Sequence, residues 1–280
     1  MSDSVMTAAS EMDALIPEVW SAAFFPTLLE KLPFNDSVGT DYDGEISSLG
    51  DTVNILSFPQ FSAAQEILEN ERADADAVTA SKTQLVINKQ VVKDFILTKK
   101  ALAQSIDAQQ KLRDLAFHAI MKKMQNTIIG DISPSASSPD HSIAYDSGTT
   151  LALADILEAK ELLDDADCEE EGRVMITGSG GANDLFNITG MVSRDYIPAG
   201  SPMTEGAIKT PVLGFQFKWT SEAGTVTRFF HPMFMQLAVQ QKPDVTEHPL
   251  GSDGRRGKRI NTDVLYGVKQ VSNLRVVSVS

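Results

Sequence analysis

TQLVINKQVVKDFILTKKALAQSIDAQQKLRDLAFHAIMKKMQNTIIG, residues 83–130, changes its apolar period partway along, and that change decides the kind of fold. In the first part Leu85, Ile87, Val91, Phe95 and Leu97 share one parity, while Gln84, Asn88, Gln90 and Asp94 share the other. This is the alternation of a half-buried strand. From Ser105 onward Ile106, Leu112, Leu115, Ala119, Ile120, Met124 and Ile128 follow helical spacing, with Asp107, Lys111, Arg113, Lys122 and Lys123 mostly between them. No Gly or Pro interrupts before Gly130, so the spacing predicts one long amphipathic helix. The Ser/Pro/Gly/Asp-rich stretch Asp131 to Gly148 then reads as a loop and a boundary.

On the N-terminal side, Asp51 to Phe58 is strand-like, and with Thr83 to Leu97 it predicts a long hairpin. Its tip, Glu66 to Ser81, is rich in Glu, Asp and Ala. Such a tip offers little to anchor it to its own chain, so the hairpin should protrude unless a partner receives it. Further back, Leu15, Val19, Trp20, Ala23, Phe24, Leu28 and Leu32 are spaced at three and four, with Pro17 and Pro26 interrupting. The pattern is a broken amphipathic arm whose aromatic surface needs a cover. Arm and hairpin are both expected to gain stability from other copies of the chain.

On the C-terminal side, Leu151 to Asp165 has the apolar face of a second helix, and Arg173 to Thr177 reads as a buried strand. After the GSGG of Gly178 to Gly181 come a short helical stretch, DLFNITGM, and a strand, PVLGFQFKW. Met233 to Gln240, Arg259 to Val268 and Leu274 to Val279 show period-2 character and predict strands. The class is α+β.

The formal net charge of −14 works against a role that begins with wrapping nucleic-acid phosphates, and equally against anionic membranes. No uncharged apolar run is long enough for a bilayer, and the start, MSDSVMTAASEMD, is acidic where a secretory signal is basic, so synthesis in the cytoplasm is expected. Cys168 is the single cysteine and cannot form an intrachain disulfide.

Motifs for chemistry are incomplete. GSGG follows a strand, but no Gly-Lys-Ser/Thr completes a phosphate loop, and Asn183 stands where a dinucleotide fingerprint has its third glycine. A plain turn is the better reading. Asp165, Asp167, Glu169 and Glu171 echo a calcium loop, but Glu170 occupies the glycine position and Ile176 the closing glutamate position. His118, His141, His231 and His248 contain no HExxH pair. No catalytic, cofactor-binding or metal-binding residue is assigned, and no cofactor is expected. The dense basic cluster Arg255, Arg256, Lys258 and Arg259 has three readings: a solvated turn, contact with an acidic surface of a neighbour such as the hairpin tip with Glu66, Glu69, Glu71, Asp74 and Asp76, or DNA contact.

The order of these segments resembles the tailed-bacteriophage major capsid proteins with the Hong Kong 97 type fold. LIPEVWSAAFFPTLLEKL resembles the family's N-terminal arm, GDTVNI through FILTKK its E-loop, and SIDAQQKLRDLAFHAIMKKMQNTII its spine helix. ADILEAKELLDDADCEEEGRVMIT and EGAIKTPVLGFQFKWTS are similar to its axial domain. FFHPMFMQLAVQQKPDV and DVLYGVKQVSNLRVVSV are similar to the return to the peripheral domain. The resemblance implies an arm and lead-in over 1–44, an E-loop hairpin over 45–98, a peripheral domain with the spine helix over 99–148, an axial domain over 149–232 and return strands over 233–280.

By function, it implies a non-enzymatic head protein that assembles through pentamers and hexamers into an icosahedral shell around double-stranded DNA, contacted non-specifically. The location would be the virion capsid, with the host cytoplasm during assembly and no membrane contact. No extra N-terminal domain of the built-in scaffold kind is present, so a separate scaffolding protein, or none, is implied; portal and decoration proteins are further candidate partners. The subunit-interface candidates are Trp20, Phe24, Phe25, Glu66, Glu69, Glu71, Arg255, Arg256, Lys258 and Arg259. A nanocompartment shell enclosing a cargo enzyme is the alternative, and a cytosolic α/β enzyme using the GSGG turn a weaker one.

Overall fold

A computed structural model describes residues 29–42, 51–58, 78–99, 106–188, 211–250 and 257–280, except 138 and 147, together with 61, 64, 66, 72, 75 and 208. The long helix α1 spans Ile106–Gly130. It lies on an antiparallel three-stranded sheet, ordered β3 (Lys89–Thr98), β9 (Gly257–Gln270), β8 (Met235–Pro249). Ile260, Val264 and Tyr266 of β9 are fully buried, and Val264 and Tyr266 join a cluster with Ile120, Met124 and Ile128 of α1. The period-2 face of the strand thus meets the period-3.6 stripe of the helix.

The second sheet has five strands in the order β4 (Ser142–Ile143), β10 (Val276–Val279), β7 (Thr227–Phe230), β5 (Val174–Thr177), β6 (Gln216–Trp219). Alternate residues serve two cores. Val174, Ile176, Phe230 and Val276 pack with α1 and Phe34, while Met175, Phe229, Val277 and Val279 pack with Ile156, Ala159 and Leu163 of α2 (Leu153–Asp165). That is why VMIT of β5 is apolar or small at every position: it is buried on both faces.

A two-stranded hairpin, β1 (Thr52–Ser57) with β2 (Ser81–Val86), forms the third unit. Here the structure corrects the expectation. The stretch read as one strand over Thr83 to Leu97 is two strands, broken at Ile87 and Asn88; the first pairs with β1, and the second leaves to pair with β9. The hairpin base is not homeless either: Val53, Ile55, Leu85 and Ile87 are buried together with Ala238 of the neighbouring sheet. The close seating depends on Gly267, where a Cβ would stand 2.5 Å from the Val86 carbonyl oxygen.

Three further corrections have physical causes. GSGG is not a plain turn: Gly178 caps a short helix, α3 (Ser179–Leu185), which takes in the first two residues of the helical stretch expected over DLFNITGM, while 189–191 lie outside the described residues. Two of its glycines serve close packing: a Cβ on Gly178 would lie 1.8 Å from the Gly224 carbonyl oxygen, and one on Gly181 2.1 Å from the Thr177 hydroxyl oxygen. PVLGFQFKW is a strand only from Gln216; before it, Leu213 at φ 53° and Gly214 at φ 86° make a tight turn closed by the Val212 and Phe215 bridge. Finally, β8 continues nine residues beyond the expected end at Gln240, to Pro249, because register shifts between Val239 and Asp244 accommodate Pro243 on an edge strand.

Candidate subunit-interaction surfaces

The lead-in, residues 29–42, is fastened to the subunit by one ridge of α1. His118 Nε2 lies 2.9 Å from the Glu30 carbonyl oxygen, Asn35 donates to the Met121 carbonyl at 2.9 Å, Lys122 pairs with the Glu30 carboxylate at 2.8 Å, and the Gln125 side-chain oxygen accepts from the Phe34 N–H at 3.4 Å. Residues 118, 121, 122 and 125 sit at i, i+3, i+4 and i+7, so they face one side of the helix. Lys122 also reaches Glu222 at 3.0 Å, and its contact holds the Glu30 carboxyl below the usual range. Phe34 is fully buried and stacks on Phe230 with centroids 5.9 Å apart. The sequence reading left this ridge out. Its signal was Gln125, a polar residue beside the apolar stripe, fully buried in the structure.

Between the lead-in, α3 and β6 lies a cavity of about 800 Å³, lined among others by Lys31, Pro33, His118, Phe186, Phe217 and Trp219. The Lys31 ammonium sits 3.9 Å over the Trp219 ring, which covers part of an otherwise exposed edge-strand aromatic.

Of the sequence-predicted interface residues, Trp20, Phe24, Phe25, Glu69, Glu71, Arg255 and Arg256 lie outside the described residues, as do Asp74 and Asp76 of the tip. Glu66 is described and exposed. Lys258 and Arg259 lie on β9, and each has a partner in its own sheet: Lys258 pairs with Glu247 at 2.9 Å, and Arg259 with Asp94. Arg113 of α1 joins Glu247, so this carboxylate, lowered in pKa chiefly by Lys258, links helix and sheet. Pairs as exposed as these contribute about 0.2–1 kcal/mol each.

The apolar surface tells more. Leu56 is 61%, Phe58 68%, Phe61 73% and Val78 60% exposed, all at the far end of the hairpin from its buried base. Val92 and Ile96 are exposed on β3, on the face turned away from α1. Large apolar residues grouped in exposed positions mark a binding surface. Among the described residues there is no group of three His, Cys, Asp or Glu placed to hold a metal ion, and no helix is long and apolar enough to cross a membrane.

Comparison with known proteins places this geometry. The family model described as phage capsid protein matches residues 45–245. Among solved structures, one titled Mycobacterium phage Che8 is 20% identical, covers 96% of this chain and 98% of its own, and superposes with a TM-score of 0.76. The cyanophage Pam1 capsid asymmetric unit is 15% identical over 98% of both chains, with a TM-score of 0.73. A native GTA particle capsid is 9% identical over 99% of both, with a TM-score of 0.70. No curated protein matches. At these identities the structures show a shared mixed helix-and-sheet fold, and the family match spans well over half of the sequence: the chain belongs to the phage capsid protein family.

Proposed function

We propose that this chain is the major capsid protein of a tailed bacteriophage, assembling through pentamers and hexamers into an icosahedral shell around double-stranded DNA. The family match over residues 45–245 carries this reading. In it, residues 1–44 are the arm and lead-in, the β1–β2 hairpin belongs to the E-loop over 45–98, and α1 is the spine helix of the peripheral domain over 99–148. Strands β5, β6 and β7 of the five-stranded sheet, with α2 and α3, fall in the axial domain over 149–232, and 233–280 return through β8 and β9 and add β10 to that sheet. The role is structural, with the virion as its location.

The mechanism follows from placement. Rings of five and six need head-to-tail interfaces, in which an element of one chain lies on a different surface of the next. The hairpin is suited to this: its base is held by Leu85 and Ile87 on its own sheet, while Leu56, Phe58 and Phe61 project. Each contact can be weak enough to reverse while errors are corrected. Once a subunit is held at one edge, further contacts are effectively intramolecular, so modest affinities sum to a durable shell. A separate scaffolding protein, a portal and decoration proteins are the partners to look for. Electron microscopy of the expressed chain, with scaffold if needed, should show closed shells or capsomer rings; a species that stays monomeric under all conditions would overturn the proposal.

A further inference from the structure

We propose that His231 is a proton-operated latch that holds the start of β8, and with it the end of the lead-in, against the five-stranded sheet. His231 follows the last residue of β7 and precedes the 3-10 turn Pro232–Phe234, which runs directly into β8. It is buried. Its backbone N–H donates to the Arg275 carbonyl at 3.1 Å, its carbonyl accepts from the Phe234 N–H at 2.9 Å, and its Nδ1 accepts from the Met233 N–H at 3.4 Å. The last contact needs a neutral ring with Nδ1 bare, so a proton arriving at Nδ1 has to displace the Met233 N–H. The same turn anchors the lead-in, because the Gly39 N–H is shared between the Pro232 carbonyl at 2.9 Å and the Met235 carbonyl at 3.0 Å.

The charged groups facing the ring come from the acidic turn before β5 and from the start of β10. Glu169 favours the protonated ring, as does a backbone hydrogen bond to Glu171, while Arg275 and Arg173 oppose it. Burial is the largest influence and pushes the imidazole below its ordinary 6.5. The closed turn therefore binds fewer protons than an opened one, and acid favours opening as pH falls through 6.5 toward the folded value. Arg275 holds Glu169 at 3.1 Å and reaches the Met233 sulfur at 3.5 Å, so a charged His231 also competes for the carboxylate that steadies this joint. One protonation thus loosens both the turn and the seat of Gly39. The latch belongs to the single subunit and holds with or without the shell reading.

Native-state amide exchange on the full chain at about pH 7.5 and about pH 5, corrected for intrinsic rates, tests it. On acidification the Met233 and Gly39 amides should lose protection about threefold or more, while those of Ile176 in β5 and Met124 in α1 keep theirs. His231→Asn, which retains a cap acceptor and does not titrate, should show equal protection at both pH values. A titration of the His231 ring by NMR in the wild-type chain gives a second readout that needs no variant, and its midpoint should lie below 6.5. Unchanged protection of Met233 and Gly39 in the wild type, an acid loss that persists in His231→Asn, or a midpoint at or above 6.5 would each overturn the latch. So would a loss spread evenly over β5 and α1, which is global unfolding and not a local release.

Discussion

The acidic run from Asp164 to Glu171 is organised by one buried cation. Arg173, 1% exposed, donates to the Cys168 carbonyl at 2.6 Å, the Glu169 carbonyl at 2.8 Å and the Asp164 carboxylate at 2.6 Å. It thereby ties the end of α2 to β5, so the calcium-like spacing of this run has a local structural cause. The Asp164 carboxyl is held below its ordinary range first by Lys160 and also by Arg173, but it is too exposed for the ion pair itself to matter much. Arg173→Met should therefore cost about 2–4 kcal/mol, as charge-assisted hydrogen bonds to two backbone carbonyls, that of Cys168 buried, are lost, while Asp164→Asn costs under about 1 kcal/mol; urea denaturation separates the two.

His231 gives a pH signature at the same scale. Its Nδ1 accepts from the Met233 N–H, and burial pushes the imidazole below its ordinary 6.5, although Glu169 pulls the other way. A lowered histidine pKa means the unfolded chain binds more protons, so this group's contribution is present above pH 6.5 and is lost as pH falls from there toward the folded value. His231→Asn retains a cap acceptor and should flatten that part of the stability profile in thermal melts from about pH 5 to pH 7.

At the scale of elements, the hairpin's attachment turns on the bare backbone of Gly267. With the Val86 carbonyl 2.5 Å from where a Cβ would be, and Ile87 Cα 3.0 Å away, Gly267→Val must push β2 off β9. The expected outcome is a loss of about 1–3 kcal/mol together with faster proteolysis within residues 52–86, while the helical signal of α1 is preserved. A variant as protease-resistant as the wild type would show that the hairpin does not depend on this seating. The elements themselves were unevenly legible. Ile120, Met124 and Ile128 made α1 readable because its stripe faces a single core. The break between β2 and β3 was hidden because parity survives it: Leu85 and Ile87 are buried in the small cluster under the hairpin and Val91 packs against the separate core shared with α1, yet all are odd-numbered. Alternation reports that a residue is covered, and does not report by what. TRFF of β7 escaped notice for a related reason, being four residues long and wedged between β10 and β5. In the interaction surfaces, the polar ridge on α1 could have been found from Gln125, whereas the intrachain partners of Lys258 and Arg259 depend on strand register, which composition does not encode.

For the whole molecule, the central question is whether folding and assembly can be separated, and the lead-in shows where to cut. Removing residues 1–32 would take away Glu30, whose carbonyl and carboxylate meet His118 and Lys122, and the Lys31 carbonyl that accepts from Thr220 at 2.7 Å. Such a deletion damages the subunit's own packing, and lost particles would then prove little. Ending the deletion at residue 28 leaves those contacts and the stacking of Phe34 on Phe230 in place. With a net charge of −14 on every subunit, the chains repel at low ionic strength, so assembly has to draw on apolar surfaces and multivalent contact. The chain lacking residues 1–28 is therefore expected to keep its thermal midpoint within a few degrees of the full-length subunit, yet to sediment as free subunits or small rings under conditions where the full chain gives shells. Leu56→Ser with Phe58→Ser should behave alike, since both side chains are exposed and contribute little to the subunit's own core. Sedimentation velocity beside a melting curve reads both quantities from one preparation. Full-sized particles from either variant would mean that the corresponding element is dispensable for the lattice, and a collapsed midpoint would mean that it belongs to the fold of the single chain.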